Sequence, residues 1–290
     1  PQGTVLAPLL FTVHVHDIAS VTTSALLQYA DDSVIFGKVN DAQICPSITQ
    51  DLITLSKWCL RNGMVINGNK SIHLRFSLAP QQPPSAIYTF DNSLIPVATE
   101  HRHLGVMLSS DLKASRHVEH AITKARGVLF WIHRNFARCH VGVRLKLLLT
   151  IVYPILFYGV PAWLPTLQLD SDLLISFQRL CTKVVLGFPH PRLDFPTRLA
   201  SLDLLHVTDQ IDCIMLRYFQ QNHLGSDLFP LRIRRNNLEI QKRLPLRSAL
   251  YKKSYFFRVV TIWNSLPELV RRSSLTAFPD NLRIYFKQSR

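Results

Sequence analysis

Apolar and polar positions along this chain fall into stretches with different periods. Leu26, Leu27 and Tyr29 on one side and Val34, Ile35 and Phe36 on the other flank Ala30-Asp31-Asp32-Ser33, which predicts two short strands joined by a tight turn. Apolar positions 6, 9, 10 and 13 share one helical face, so a helix is expected soon after Gly3. Ile48, Leu52, Leu55, Trp58 and Cys59 predict an amphipathic helix from about 42 to 61, stopped by Asn62-Gly63. Ile72, Leu74 and Phe76 alternate as in a strand, and residues 77–100, with Pro80, Pro83 and Pro84, read as loop or short strands. Between Asp111 and Arg138, Val118, Ala121, Ile122, Ala125, Leu129, Ile132 and Phe136 repeat at helical spacing. Further helices are expected near 141–158, 170–186 and 207–222. The fold class is therefore α+β: a small antiparallel sheet with helices on one side, then mostly helix.

One stretch raises a second possibility. Leu147 to Leu169 is uncharged for 23 residues, long enough to ask about a membrane span. Pro154, Gly159, Pro161 and Pro165 interrupt it, and Tyr153, Tyr158 and Trp163 are scattered along it, so a buried helix followed by an apolar loop is the expectation, with no membrane.

At 290 residues and 47% hydrophobic, the chain can build one large core or two modest ones. Its five cysteines are scattered without a Cys-x-x-Cys pair, which argues against a disulfide framework, a disulfide-linked partner or a zinc module and fits a reducing compartment. The net charge of +14 is unevenly placed. Residues 1–76 carry five basic groups and five acids, whereas residues 231–290 hold fourteen Lys and Arg against Glu239, Glu268 and Asp280. A neutral module with acids at a turn, followed by a basic one, suits a polyanionic ligand, although a solvated basic surface gives the same numbers.

The candidate chemistry sits in the acidic turn. Neighbouring side chains of a strand point to opposite faces, so Asp31 and Asp32 can act on one target only at the tip of a hairpin. Burying both anions against Leu27, Tyr29, Val34 and Phe36 would require a cation or a proton. Magnesium, with its oxygen ligands and retained waters, is a suitable cation. An exposed acidic turn with no ligand fits the four residues equally well.

Read in order, the motifs resemble the reverse transcriptases of LINE-type, non-LTR retrotransposons of the Jockey kind. The resemblance is carried by Gln2, Gly3, Leu6, Pro8, Leu9, Leu10 and Phe11, then Asp17, then Tyr29 to Asp32. It continues through Met64 to Ser71 with Lys70, His103-Leu104-Gly105-Val106, and the closing Ile262-Trp263-Asn264-Ser265-Leu266-Pro267. His16, Ala7, Ser71 and His103 depart from the residues usual at those positions.

The resemblance implies an RNA-directed DNA polymerase that extends a DNA primer with dNTPs on an RNA template. Asp31 and Asp32 would be the metal ligands, for two magnesium ions or alternatively manganese. Gln2, Gly3 and Tyr29 would lie against template or nucleotide, and Lys70 would protonate the departing pyrophosphate, although a surface lysine after an Asn-Gly turn fits as well. His103, Leu104 and Gly105 would grip the primer. Arg116, Lys124, Arg126 and Arg134, with Lys252, Lys253 and Arg258, would hold the nucleic-acid backbone, unless the helix simply shows a solvated face. Phe256, Phe257 and Ile262 could stack on RNA or fill a core; Trp263 reads as core. The implied division is palm over 1–108, helical thumb over 109–225 and basic tail over 226–290. A further catalytic Asp, the fingers and an endonuclease would precede Gln2, so this reads as a truncated enzyme, inactive alone. A non-catalytic nucleic-acid-binding remnant and a degenerate reading frame are the alternatives. The implied setting is intracellular, in cytoplasm and nucleus as a ribonucleoprotein.

Overall fold

The computed structural model describes residues 3–38, 44–77, 87–90, 93–187, 193–224, 226, 231–234, 237–240 and 254–288. The chain forms two compact units, Pro1–Thr99 and Glu100–Arg290. This boundary lies before the hairpin of residues 100–109, which the sequence-based division had placed with the first module.

In the first unit, helix α1 (Ala7–His14) begins with Pro8, whose missing N–H costs nothing in a first turn. Strands β1 (Ala25–Tyr29) and β2 (Asp32–Phe36) pair antiparallel, with Tyr29 opposite Asp32 and Leu26 opposite Ile35. Helix α2 (Ile44–Arg61) runs beside them and buries Asp51, Leu55, Trp58 and Cys59, the i, i+4, i+7, i+8 stripe of one face. It stops where expected: Gly63 takes φ 64 and the Met64 N–H returns to the Cys59 carbonyl at 2.9 Å. Val15, Ile18, Tyr88, Phe90 and Ile95 complete this small core. The single antiparallel sheet expected here is not formed among the described residues. Short strands pair two by two instead, and His73–Leu74 pairs parallel with Val97–Ala98.

The second unit opens with strands β7 (Glu100–His103) and β8 (Val106–Ser109), antiparallel across a two-residue turn. Helix α3 (Ser115–Phe136) buries Val118, Ala121, Ile122, Ala125, Leu129 and Ile132 against helix α6 (Gln168–Leu186). Val141–Ala162 is long and apolar enough to cross a membrane by length and composition. It is not a uniform rod: Leu148–Val152 is π-helical and a turn follows Leu156. Leu148, Val152, Leu156 and Val160, four residues apart, are at most 1% exposed in the core of the unit. Gln178 of α6 joins this segment to the start of helix α8 (Val207–Asn222), donating to the Tyr153 hydroxyl at 3.3 Å and the Leu205 carbonyl at 2.8 Å and accepting the Val207 N–H at 2.9 Å.

The described helices after residue 254 share this core. The helix Tyr255–Ser265 buries Val259 and Trp263, and Phe278 and Leu282 of the helix Phe278–Gln288 are fully buried. Asn264 accepts the Ile240 N–H at 2.9 Å and donates to the Ile240 carbonyl at 3.0 Å, fastening the strand Asn237–Ile240 to that helix. All five cysteines are free thiols.

Candidate functional site

The acidic hairpin is built as its spacing predicts. Tyr29 and Asp32 are the last paired residues, so Ala30 and Asp31 form a two-residue loop and the carboxylates sit on adjacent positions at its end. Ala30 has φ 52, a left-handed conformation that costs a residue with a Cβ about 1–2 kcal/mol. Strain of this kind collects at functional turns. The Gln28 side chain donates to the Ala30 carbonyl at 3.1 Å and braces the loop.

The surroundings differ from the expected buried site. Asp31 and Asp32 are exposed, and so are Leu27, Tyr29 and Phe36, with Tyr29 at 68%. Leu26 and Ile35, by contrast, pack against the small core of the first unit. Among the described residues no basic side chain pairs with either carboxylate. Two adjacent carboxylates at the end of a hairpin fit part of a divalent-metal site, which can use one or two carboxylates plus substrate phosphates. No cluster of three or more metal-ligating side chains occurs among the described residues.

The base of the hairpin is anchored by a residue that sequence reasoning passed over. Asp51, 1% exposed on α2, accepts the Thr23 N–H and the Ser24 N–H, each at 2.8 Å, and the Thr23 hydroxyl at 3.0 Å, just before β1 begins. Burial pushes this carboxyl up, but the donors of Thr23 and Ser24 outweigh it and hold the pKa below the ordinary 3.8. The stability Asp51 contributes is therefore complete above 3.8 and is lost as pH falls through its lower folded value. Replacing Asp51 with Ala leaves those donors unpaired in the interior, and should destabilise the first unit by about 3 kcal/mol in urea unfolding. A loss under about 1 kcal/mol would mean that water replaces the carboxylate without cost.

The other predicted residues are dispersed. Gln2, Lys252 and Lys253 lie outside the described residues. Gly3 has φ 85 with open space where a Cβ would be. Lys70 is exposed on the one-turn helix Gly68–Lys70, and among the described residues no hydrogen bond or ion pair joins it to the hairpin.

In the second unit, His103, Leu104 and Gly105 form the end of the β7–β8 hairpin, and the His103 ring stacks with that of His101 at 6.4 Å. On α3, Lys124, Arg126 and Arg134 are exposed, while Arg116 pairs with Glu100 and Glu119. Arg258 is turned inward. Its guanidinium meets Asp212 at 2.7 Å and is only 26% exposed, which takes it out of a set of cations offered to a phosphate backbone.

Behind the β7–β8 hairpin lies His117, 3% exposed, whose Nδ1 accepts the Met107 N–H at 3.2 Å. Burial, reinforced by His120, pushes its pKa from 6.5 down to about 4, with the Tyr158 carbonyl opposing. The folded ring thus binds fewer protons than the unfolded one. Its contribution to stability is full above 6.5 and is lost as pH falls toward about 4. The second unit should lose about 3 kcal/mol through this group over that window. Urea unfolding at about pH 7.5 and about pH 4.5 measures it, and His117→Gln should flatten the dependence if the imidazole is its source.

The sequence is similar to known proteins. Residues 1–108 match the reverse transcriptase (RNA-dependent DNA polymerase) family. Over 172 residues, covering 56% of this chain and 19% of the relative, the sequence is 27% identical to "Probable RNA-directed DNA polymerase from transposon X-element" of Drosophila melanogaster. Over 263 residues, 85% of this chain and 28% of the relative, it is 24% identical to "Probable RNA-directed DNA polymerase from transposon BS" of the same species. It is 25% identical over 175 residues to "RNA-directed DNA polymerase from mobile element jockey" of Drosophila funebris, covering 56% of this chain and 19% of that protein. The chain therefore spans well under a third of the length of these curated relatives. No solved structure matches it. Over residues 1–108 the sequence is thus similar to the reverse transcriptase (RNA-dependent DNA polymerase) family, and the relatives it matches are named as RNA-directed DNA polymerases of mobile elements.

Proposed function

We propose that this chain is the part of a non-LTR retrotransposon polymerase that carries the metal-binding hairpin, the primer grip and the thumb. The observation that carries the reading is the pair of exposed carboxylates on consecutive positions at the end of a braced hairpin, with no basic partner among the described residues. Asp31 and Asp32 would hold divalent ions, magnesium first and manganese as a substitute. When bound, such ions activate the primer 3′ hydroxyl and support the leaving pyrophosphate. Tyr29, exposed beside Asp32, would lie against the incoming nucleotide or the template, with Gln2 and Gly3 on the same substrate. Lys70 would serve as the general acid for pyrophosphate. Residues 1–108 are read as palm, 109–225 as thumb and 226–290 as a basic extension. The exposed cations of α3 would position the template-primer backbone without reading its sequence, with Lys252 and Lys253 adding to the hold. The RNA template, DNA primer and dNTPs are the partners, and cytoplasm and nucleus the setting.

Since a further metal-binding Asp and the fingers belong, by resemblance, to sequence before Gln2, the 290 residues would polymerise only when joined to it. Primer extension on an RNA template with magnesium tests this, comparing the chain with a form extended upstream. Extension by the longer form alone supports the reading; processive synthesis by the 290 residues would overturn the incompleteness. If both forms bind RNA in a salt-sensitive way and neither extends a primer, the non-catalytic remnant is the better account.

A further inference from the structure

We infer that Tyr158 is a positioning residue for the turn of the β7–β8 hairpin, holding it in one shape against which a primer end can seat. The inference rests on the polymerase reading for its role, and on contacts within the second unit for its geometry. His103 and Val106 are the last paired residues, so Leu104 and Gly105 alone make the turn. Both have positive φ, 45 and 85. Glycine takes this backbone freely, but for leucine it is disfavoured, so contacts from elsewhere must hold it.

Tyr158, 54 residues further along the chain, supplies two of them. Its hydroxyl donates to the Leu104 carbonyl at 3.0 Å. Its ring closes the space at Gly105, where a Cβ would stand 2.9 Å from Tyr158 Cε1. The next residue repeats the fit, because Gly159, with φ 66, leaves a Cβ position only 2.8 Å from Val106 Cγ2. The support is itself supported. Trp163 Nε1 donates to the Tyr158 carbonyl, and the Trp163 ring lies 4.8 Å from that of His117, which in turn holds the Met107 N–H. Residues 158–163, α3 and the hairpin thus form a closed circuit of contacts. Tyr158 nevertheless stays 54% exposed and Leu104 40% exposed, so the braced turn is presented to solvent. A ring recruited only to fill a core would have been covered.

The test uses the whole chain and an RNA–DNA hybrid with 2-aminopurine at the primer 3′ end. Tyr158→Phe removes one hydrogen bond at an exposed position, so the melting temperature should hold. Seating of the primer terminus, read from the fluorescence, should weaken about fivefold. Overall affinity, carried by phosphate contacts elsewhere, should change less than about twofold. Gly105→Ala should be worse, and its effect should shrink in a Tyr158→Ala background, where the ring it strikes is gone. Unchanged seating in both Tyr158 variants, with strictly additive effects at Gly105, would overturn the inference. A wild-type chain that binds no hybrid would sink the polymerase reading instead. Amide exchange at the turn of the free protein, expected about fivefold faster in Tyr158→Phe, would then still decide whether Tyr158 holds it.

Discussion

Asparagine at positions 31 and 32 should, on the proposed polymerase reading, reduce primer extension by at least about a thousandfold in any form of the protein that extends a primer, about 4 kcal/mol of transition-state stabilisation. The expectation is sharp because the substitutions are structurally quiet. Both carboxylates are exposed, the hairpin pairing is made by backbone, and the amides that replace them have nearly the same shape. The Gln28 brace goes to the Ala30 carbonyl, so neither the pairing nor the brace is touched. What changes is charge: two anions able to hold a divalent ion become neutral amides, which are weak magnesium ligands. Single-turnover extension should collapse, whereas hybrid binding measured by fluorescence anisotropy should change by less than about twofold, since the proposed phosphate contacts lie on α3. Extension that survives within about tenfold would remove Asp31 and Asp32 from the chemistry, whatever else the hairpin does.

Trp263→Ala should cost the second unit about 4 kcal/mol, enough to unfold it partly at ambient temperature. The indole is 0% exposed and lies 5.1 Å from the Phe219 ring and 5.7 Å from the Phe278 ring, so its loss opens a cavity between two helices. It also donates to the Leu238 carbonyl at 2.8 Å, and that acceptor would be left unpaired. Trp263→Phe keeps most of the apolar volume and loses the donor, so it should recover roughly half of the stability. Urea unfolding followed by far-UV circular dichroism separates the three proteins. A loss under about 1 kcal/mol would mean that the closing helix docks loosely, and that the basic extension is a tail after all.

Local pattern accounts for much of this protein. Leu26 to Phe36 alone specify a hairpin turning at Ala30-Asp31-Asp32-Ser33, because apolar strand-like residues flank both sides, and the folded chain narrows the loop to Ala30 and Asp31. The stripe Leu52, Leu55, Trp58, Cys59 ended by Asn62-Gly63 specifies α2, and the Val118 to Ile132 stripe specifies α3, because a helical period is written in residues three and four apart. Trp263 was legible as core for the same reason.

The remainder depends on residues far apart in the chain, where no period connects them. That both acids would be exposed beside Tyr29 followed from which hairpin residues pack on the small core, Leu26 and Ile35. Asp51 reads as one more polar residue of α2 until folding brings it to Thr23, 28 residues earlier. Arg258 belongs by composition to a basic stretch, and only the packing of its helix on α8 turns it toward Asp212. The same holds for the division of the chain: the His103 hairpin follows the first module in sequence, but its turn is braced by Tyr158 and backed by His117, so it folds with the second. Sequence by itself determined the elements and the acidic turn, since both rest on neighbours along the chain. Tertiary structure decided which polar groups are buried as supports and which remain open to a ligand, since burial depends on partners that only the folded chain brings together.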